Sequence, residues 1–523
     1  MTKREIGYIS KNAEITGEWS PRRANVSVKD RVLRKALLPK VMPAREAARF
    51  IRDGMTLACS GFTSCGYPKV VPLALAERIR KGDPVRINLI TGASVGEELD
   101  EELASVGAIA RRYPYQTGNL ISRAINDGAV MYHDIHLSRV AEQVRCGFLG
   151  HLDIAVIEAT AITEDGGIIP TTSVGASPTF VSEADGVIVE VNTAQPMELA
   201  GMHDIYTPEN PPRRGPIPLT APSQRIGRTF IPCDPEKIIA ICPSDMLDKT
   251  RPLAAVNDTS QGIARHLVDF INRCVRGRLY DDLPPLQSGV GSIANAVMEG
   301  ILASDWTGIS LWAEVIQDAI FDLIDAEKLV CASATSLTPS PEGLTRFYRN
   351  IDTYREKIIL RPQEISNSAE LINRLGVVAM NTALEADIYG NVNSTHTFGN
   401  RVINGMGGSG DFSRNAFLSI FMTPSTARGG TISRIVPHVT HVDHTEHEVH
   451  VVVTEQGVAD LRGLDPRERV EVIIENCAHP DYKDALRDYY HRAVKKAGGH
   501  IPLLLDEAFS WHANYLKKGT MFP

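Results

Sequence analysis

Short apolar runs alternate with amphipathic stretches along most of the chain. Residues 56–60, 86–91, 154–158 and 186–191 are almost continuous in apolar and small side chains, the pattern of strands buried on both faces. Residues 70–81, 97–106, 119–127 and 138–147 lie between them and repeat their apolar positions at helical spacing. The proline-rich passage 210–222 suits neither element. The alternation then resumes with a strand at 238–242, a helix at 263–275, and strands near 309–314, 329–333, 357–360, 417–421 and 449–454. This predicts an α/β protein of two domains, each an open, mostly parallel sheet covered by helices. The expected division is an N-terminal extension over 1–34, a first domain over 35–230 and a second over 231–523. Ligands of such sheets sit beyond the carboxyl ends of the strands, so the chemistry is expected on post-strand loops where the halves meet.

A chain of 523 residues exceeds a single core, and 43% hydrophobic with 23% charged residues excludes a mainly disordered or fibrous protein. No apolar run is long enough to cross a bilayer. A net charge of −8 argues against a nucleic-acid surface, so an anionic ligand needs local basic or backbone N–H sites. The eight cysteines form no C-x-x-C pair, and Cys242 and Cys331 sit in apolar runs, which suits reduced thiols in a reducing compartment. The first forty residues mix Lys3, Glu5, Glu14, Glu18, Arg22, Arg23 and Asp30, unlike an acid-poor transit peptide or an apolar signal peptide. A cytoplasmic protein is expected, with the mitochondrion as the alternative.

Two glycine-rich loops carry the candidate chemistry. Gly405, Gly407 and Gly410 read G-x-G-x-x-G, and Gly289, Gly291 and Ala294 read G-x-G-x-x-A with Glu314 twenty residues beyond Ala294. Taken literally the second is a dinucleotide fingerprint. Against it, residues 282–287 make a poor central strand, and a strand–helix pair already precedes it. No strand is expected ahead of Gly405, and no acid lies between Asp411 and Asp443. The other reading is that both loops hold a large anion with Glu314 between them. Glu314 closes the apolar run GISLWAE, and as a residue it is either a functional carboxylate or a helix-start acid, with Asp318 in the helix that follows.

The motifs GVGSIANAVMEG, WAEVIQDA, KIILRPQEISNS, EADIYGNVNST, INGMGGSGDFSRNA, HVDHTEHEVHVVVTEQGVADLRGL and CAHPDY, with SGFTSCGYPKVVP, LITGAS, IEATAITEDGGIIPTTSVG and GMHDI in the first half, resemble the acetyl-CoA hydrolase/transferase family of class I CoA-transferases. The match is nearest to the succinyl-CoA:acetate CoA-transferase branch and covers about residues 35–523. The resemblance implies Glu314 as the nucleophile, forming an acyl-glutamyl anhydride and then a glutamyl-CoA thioester. Coenzyme A enters as a substrate, with no tightly bound cofactor. The resemblance places Gly408 as a backbone oxyanion donor, Asn367 as a side-chain donor, and Asn404, Gly408 and the loop Gly289, Val290, Gly291, Ser292, Ile293 against CoA. Arg428 stands where the family often has lysine and is expected near a CoA phosphate. Ser94 and Thr117 are on post-strand loops and suit a small carboxylate. Glu455 matches a family active-site acid, and Lys249 and Arg251 both offer a cation for a substrate carboxylate. A homodimer is implied by the family alone; no nucleic-acid or membrane partner is expected.

Two further patterns are given structural readings. His438, His441, His444, His447 and His450 recur every third residue, yet in an extended segment such spacing sends side chains to alternating faces, so a turn plus a half-buried strand is expected and no metal site. Cys477 beside His479 is expected to be a buried structural thiol. The alternatives to a transferase are a hydrolase with the same glutamyl intermediate, an NAD-dependent oxidoreductase, and a CoA-binding protein in which Glu314 is inert.

Overall fold

Alternating side chains of the buried strands supply two cores at once. In β1 (Thr56–Thr63), Leu57 and Cys59 join one apolar cluster while Ala58 and Phe62 join another, so both faces of the sheet are covered. The computed structural model describes residues 27–274 and 283–522. With β1, the strands β2 (Ile87–Ser94), β3 (Ile109–Tyr113), β4 (Met131–Tyr132), β5 (Ile154–Ala159), β6 (Gly186–Asn192) and β7 (Ile238–Ser244) form a parallel seven-stranded sheet in the order 4-3-2-1-5-6-7.

The second sheet contains β8 (Leu286–Ser288), β9 (Ile309–Trp312), β10 (Leu329–Ala334), β11 (Ile358–Leu360) and β12 (Val378–Thr382). A small hairpin, β13 (His396–Thr397) with β14 (Arg401–Val402), stands apart from it, and β15 (Leu418–Met422), β16 (Val451–Thr454) and β17 (Gly457–Asp460) complete it. Its order is 11-10-9-8-12-15-16-17, parallel except where β17 turns back along β16. Here too the faces alternate: Val378 and Met380 enter one cluster and Ala379 another. Two open, mostly parallel sheets covered by helices are thus present, as expected.

Three expectations need correction. The strand Ile238–Ser244, expected to open the second domain, is the outer strand of the first sheet, so the strand pattern divides the chain after residue 244. The proline-rich passage misled because it is a surface excursion that docks on the second half: the Ile217 N–H donates to Glu370 at 3.1 Å and Arg374 donates to the Ile217 and Leu219 carbonyls. The N-terminal extension is shorter than 1–34. Buried Arg31 donates to the carbonyls of Thr160, Asn192, Thr193 and Gln195, and Val32 bridges Ile162, so residues 28–34 belong to the first domain. Residues 1–26 and the expected helix end at 275 lie outside the described residues. Finally, the poor strand candidate before Gly289 is a strand, Leu286–Ser288, and it is the first of its sheet.

Each sheet has a switch point, between β1 and β5 in the first and between β8 and β12 in the second. The carboxyl ends of the two sheets face one another. The Val174 N–H donates to the Thr335 carbonyl at 2.9 Å, Leu337 N–H to Thr172, and the Thr63 and Thr338 hydroxyls meet at 2.6 Å. The chain leaving β7 is pinned by buried Asp248, which pairs with Lys69 at 2.9 Å and accepts from the Gly66 N–H and the Thr172 hydroxyl. Lys69 also meets Glu158 at 2.6 Å, and all three side chains are fully buried. Among the described residues no helix is long and apolar enough to cross a membrane.

Candidate active site

Neighbouring strands β8 and β9 end on the same edge of the second sheet, paired through Leu286 and Leu311. Beyond β8 the chain enters the loop Gly289, Val290, Gly291 and then the helix Ser292–Ala303. Gly291 has φ +110, a conformation that suits glycine at this turn into the helix. Beyond β9 the chain reaches Glu314, whose carbonyl accepts from the Thr335 and Ser336 N–H groups at 3.0 and 3.1 Å. Those bonds lock the Glu314 backbone to the strand neighbouring its own, directly at the junction of the halves.

The Glu314 carboxylate is held by two donors. Asn367 Nδ2 donates to Oε1 at 2.8 Å, and the Gly408 N–H donates to the same carboxylate. Asn367 is placed by the short helix Gln363–Ser366 before it, and Trp312 Nε1 at the end of β9 donates to the Ser366 carbonyl at 2.8 Å. Gly408 caps the helix Ser409–Asn415 in an ordinary right-handed conformation, so its requirement is space, not φ. A Cβ built there would stand 2.1 Å from the Glu314 carboxyl carbon.

Burial pushes the Glu314 carboxyl up to about 7; the charge of Asp411 adds to this, while the bonds from Asn367 and Gly408 oppose it. Asp411 is buried on the same helix. It accepts from the Ser138 N–H at 2.9 Å, the Ser138 hydroxyl at 2.6 Å and Asn367 Nδ2 at 3.2 Å, so one amide joins both carboxylates. The first domain supplies the other wall. The Met406 N–H donates to Asp134 at 2.7 Å, and Gly405 fits so closely that a Cβ would come within 2.8 Å of Tyr115 and 2.5 Å of the Tyr132 hydroxyl. Burial raises the Tyr115 phenol to about 12, with further contributions from Glu314 and Asp134. Burial also lifts Asp134 to about 7.

Residues 25–243 match the acetyl-CoA hydrolase/transferase N-terminal domain, and residues 343–490 match its C-terminal domain. The chain belongs to the acetyl-CoA hydrolase/transferase family. It is 52% identical over 493 residues to the succinyl-CoA:acetate CoA-transferase of Clostridium kluyveri, covering 94% of this chain and 92% of that protein. It is 45% identical to the acetyl-CoA hydrolase of Candida albicans over 513 residues, 94% and 98% of the two chains. In fold it is similar to RipA from Yersinia pestis, with TM-score 0.68 at 24% identity over 88% of this chain and 99% of that one.

Of the residues that the family resemblance singled out, Glu314, Asn367 and Gly408 come together, with Asn404 four residues before Gly408. The Asn404 carbonyl accepts from Tyr132 at 3.4 Å, and its buried side-chain Oδ1 meets no donor among the described residues. Gly289, Ser292 and Ile293 follow β8 beside the strand that leads to Glu314, and Val290 projects half exposed from the loop. Ser94 ends β2 fully buried, and its hydroxyl meets no partner among the described residues. Thr117 follows β3 and accepts from Arg251 at 3.3 Å. Lys249 pairs with Glu98 at 2.6 Å, whereas the Arg251 charge acts on Tyr115 of the site wall. Glu455 accepts from the Ser425 N–H and hydroxyl, fixing the strand-end turn. Arg428 stands exposed at the tip of the next turn with φ +49.

Several wall residues escaped the sequence reading. Asp411 lies in the quoted glycine motif, and Tyr115 and buried Gln116 lie beside Thr117, yet only packing reveals that they converge; Gln116 has both side-chain polar atoms without a partner among the described residues. The histidine run is loop, not strand, up to β16: His444 is buried under Ser409 at 3.1 Å, His447 is exposed, and His450 accepts from the Ser419 N–H. Cys477 is buried and donates to the Val452 carbonyl, with burial raising its thiol to about 12, as a structural thiol should. The dinucleotide fingerprint does have its leading strand. What removes the oxidoreductase reading is the family and the commitment of the Glu314 carboxylate to Asn367 and Gly408.

Proposed function

We propose that the protein transfers coenzyme A between a short-chain acyl-CoA, succinyl-CoA or acetyl-CoA, and acetate or succinate, with Glu314 as the covalent nucleophile. One observation carries this reading: a carboxylate at the domain junction whose oxygens already meet an amide N–H and a backbone N–H. Ionised Glu314 attacks the thioester carbonyl; the C–S bond breaks, leaving an acyl-glutamyl anhydride and CoA thiolate. The thiolate then attacks the glutamyl carbonyl, giving a glutamyl-CoA thioester and releasing the acyl group as its carboxylate. Asn367 Nδ2 and the Gly408 N–H hold the glutamyl oxygen at the moment when it becomes the oxyanion of that second step. The incoming carboxylate reverses the sequence and restores Glu314. Carboxylate is exchanged for carboxylate at each stage, so no nucleotide is consumed.

Arg251 is the cation that this reading assigns to the substrate carboxylate, with Thr117 beside it and Ser94 as a further hydrogen-bonding group. The exposed loop residues Val290 and Arg428 are assigned to CoA. A homodimer and a cytoplasmic setting belong to the same reading. The hydrolase alternative is kept because relatives at 45% identity carry that name. In that case water takes the glutamyl-CoA thioester. The deciding experiment mixes the protein with acetyl-CoA alone and seeks a CoA adduct on the peptide containing Glu314. Discharge by succinate or acetate much faster than by water supports the transferase; equal rates support the hydrolase; no adduct overturns both.

A further inference from the structure

Away from Glu314, the loop ahead of β16 meets the hairpin β13–β14 through three side chains whose donor atoms gather in one place. One nitrogen from His396, one from His441 and one oxygen from Asp443 all lie within 4.8 Å of one another. The two imidazole rings lie with centroids 3.9 Å apart, tilted 34° to one another, although 45 residues separate them in sequence. His441 Nε2 stands 3.3 Å from Asp443 Oδ1. Two ligands bonded about 2.0–2.1 Å from one tetrahedral ion are separated by about 3.4 Å, so this edge is already at ligand spacing.

The neighbours fix how the donors point. A carboxylate only accepts, so the single hydroxyl hydrogen of Thr395 goes to Asp443, at 2.9 Å. The Thr395 oxygen is then the acceptor for His396 Nδ1–H at 2.7 Å. His396 is thereby held as the tautomer with its Nε2 lone pair free, and no donor meets that nitrogen among the described residues. A histidine whose other ring nitrogen is anchored through a carboxylate is the arrangement around ligating imidazoles. Asp443 is anchored as well: it accepts from the Ser394 and Thr395 N–H groups at 2.7 and 3.0 Å. Its side chain is nearly buried while that of His441 is 40% exposed, which leaves an entry path for an ion.

We propose that His396, His441 and Asp443 bind a Zn2+ ion, with solvent as the fourth ligand. Two imidazole nitrogens and one carboxylate oxygen, with an open fourth position, are a donor set that Zn2+ takes. Its place in the fold makes it a brace. His396 opens the hairpin that leads into Asn404–Gly408, and the neighbour of Asp443, His444, contacts Ser409 and Ser413 on the helix capped by Gly408. The ion would tie both flanks of that loop together.

The test uses the full-length protein, freed of metal by chelator and titrated with Zn2+ by calorimetry and with Co2+ by visible spectroscopy. One equivalent should bind, with the ligand-field bands of a tetrahedral Co2+ site, and Zn2+ should raise Tm. His396→Gln and His441→Gln should each weaken binding at least ~10-fold and abolish the Zn2+-dependent rise in Tm. His447→Gln, at a largely exposed side chain of the same loop, should change neither. Circular dichroism of the metal-free variants checks that both ligand variants fold. No stoichiometric binding by the wild type, or binding undiminished in both ligand variants, overturns the proposal; the second result would place the ion elsewhere, as at His151, Asp153 and Asp185.

Discussion

The α-carbon of Gly408 lies against the carboxyl group of Glu314, so close that a methyl group on it would fall 2.1 Å from the carboxyl carbon. Gly408→Ala must therefore displace either the carboxylate or the loop that carries the backbone donor. We expect kcat/KM to fall by ~10²–10³, the scale on which a single oxyanion donor acts. Steady-state kinetics together with the yield of the Glu314–CoA adduct checks this. A variant with near-normal turnover would refute the placement of the donor.

The pH profile follows from the raised Glu314 carboxyl. Only the ionised form is a nucleophile, so kcat/KM for acyl-CoA should fall as pH drops through about 7. Asp411 contributes to that elevation through its charge, so Asp411→Asn should move the acidic limb to lower pH. A limb near pH 4.5, the ordinary glutamate value, would contradict the environment described.

Stability should run opposite to activity at the same residue. Between the ordinary value of 4.5 and the folded value of about 7 the native state holds more protons than the unfolded chain, so stability falls as pH rises through that window. Above it, ionised Glu314 is a net cost. Glu314→Gln should abolish turnover yet raise Tm at pH 8 by about 2 °C, and the gain should vanish near pH 4.5. Differential scanning calorimetry at the two pH values checks the sign.

Arg251 and Lys249 differ in orientation more than in charge. Lys249 is engaged by Glu98, whereas Arg251 donates to Thr117. Arg251→Ala should raise KM for the acid substrate ~10-fold or more with a smaller change in kcat, and Lys249→Ala should leave KM within about twofold. Arg251→Lys should recover only part of the loss, since an ammonium cannot offer a carboxylate the two-pronged donation of a guanidinium.

Much of this site was legible in the chain. Glu314, Asn367 and Gly408 stand in the motifs that carry the family resemblance, and the structure brings the three side by side. The fold was legible wherever strands are long and wholly apolar. Ile109–Tyr113 was hidden by its two arginines; one of them, Arg112, is buried in a pair with Asp100 that no periodicity shows. Leu286–Ser288 was hidden by its length of three residues and the prolines before it. Local patterns say that a segment is a strand without saying which sheet it joins, which is why Ile238–Ser244 went to the wrong half. Asp411, Asp134 and Tyr115 were missed for a related reason: their chemistry arises only where two distant segments close on each other.

The Lys69–Asp248 pair bears on how this protein can be cut. Matching to the family's N-terminal domain stops at residue 243, five residues short of Asp248, while Lys69 sits fully buried within the first domain. A fragment trimmed to that boundary loses the carboxylate that accepts from the Gly66 N–H and the Thr172 hydroxyl, leaving those buried donors unpaired and Lys69 with Glu158 alone. Expression of the first domain alone therefore calls for a terminus beyond residue 248, however complete the sheet is at Ser244.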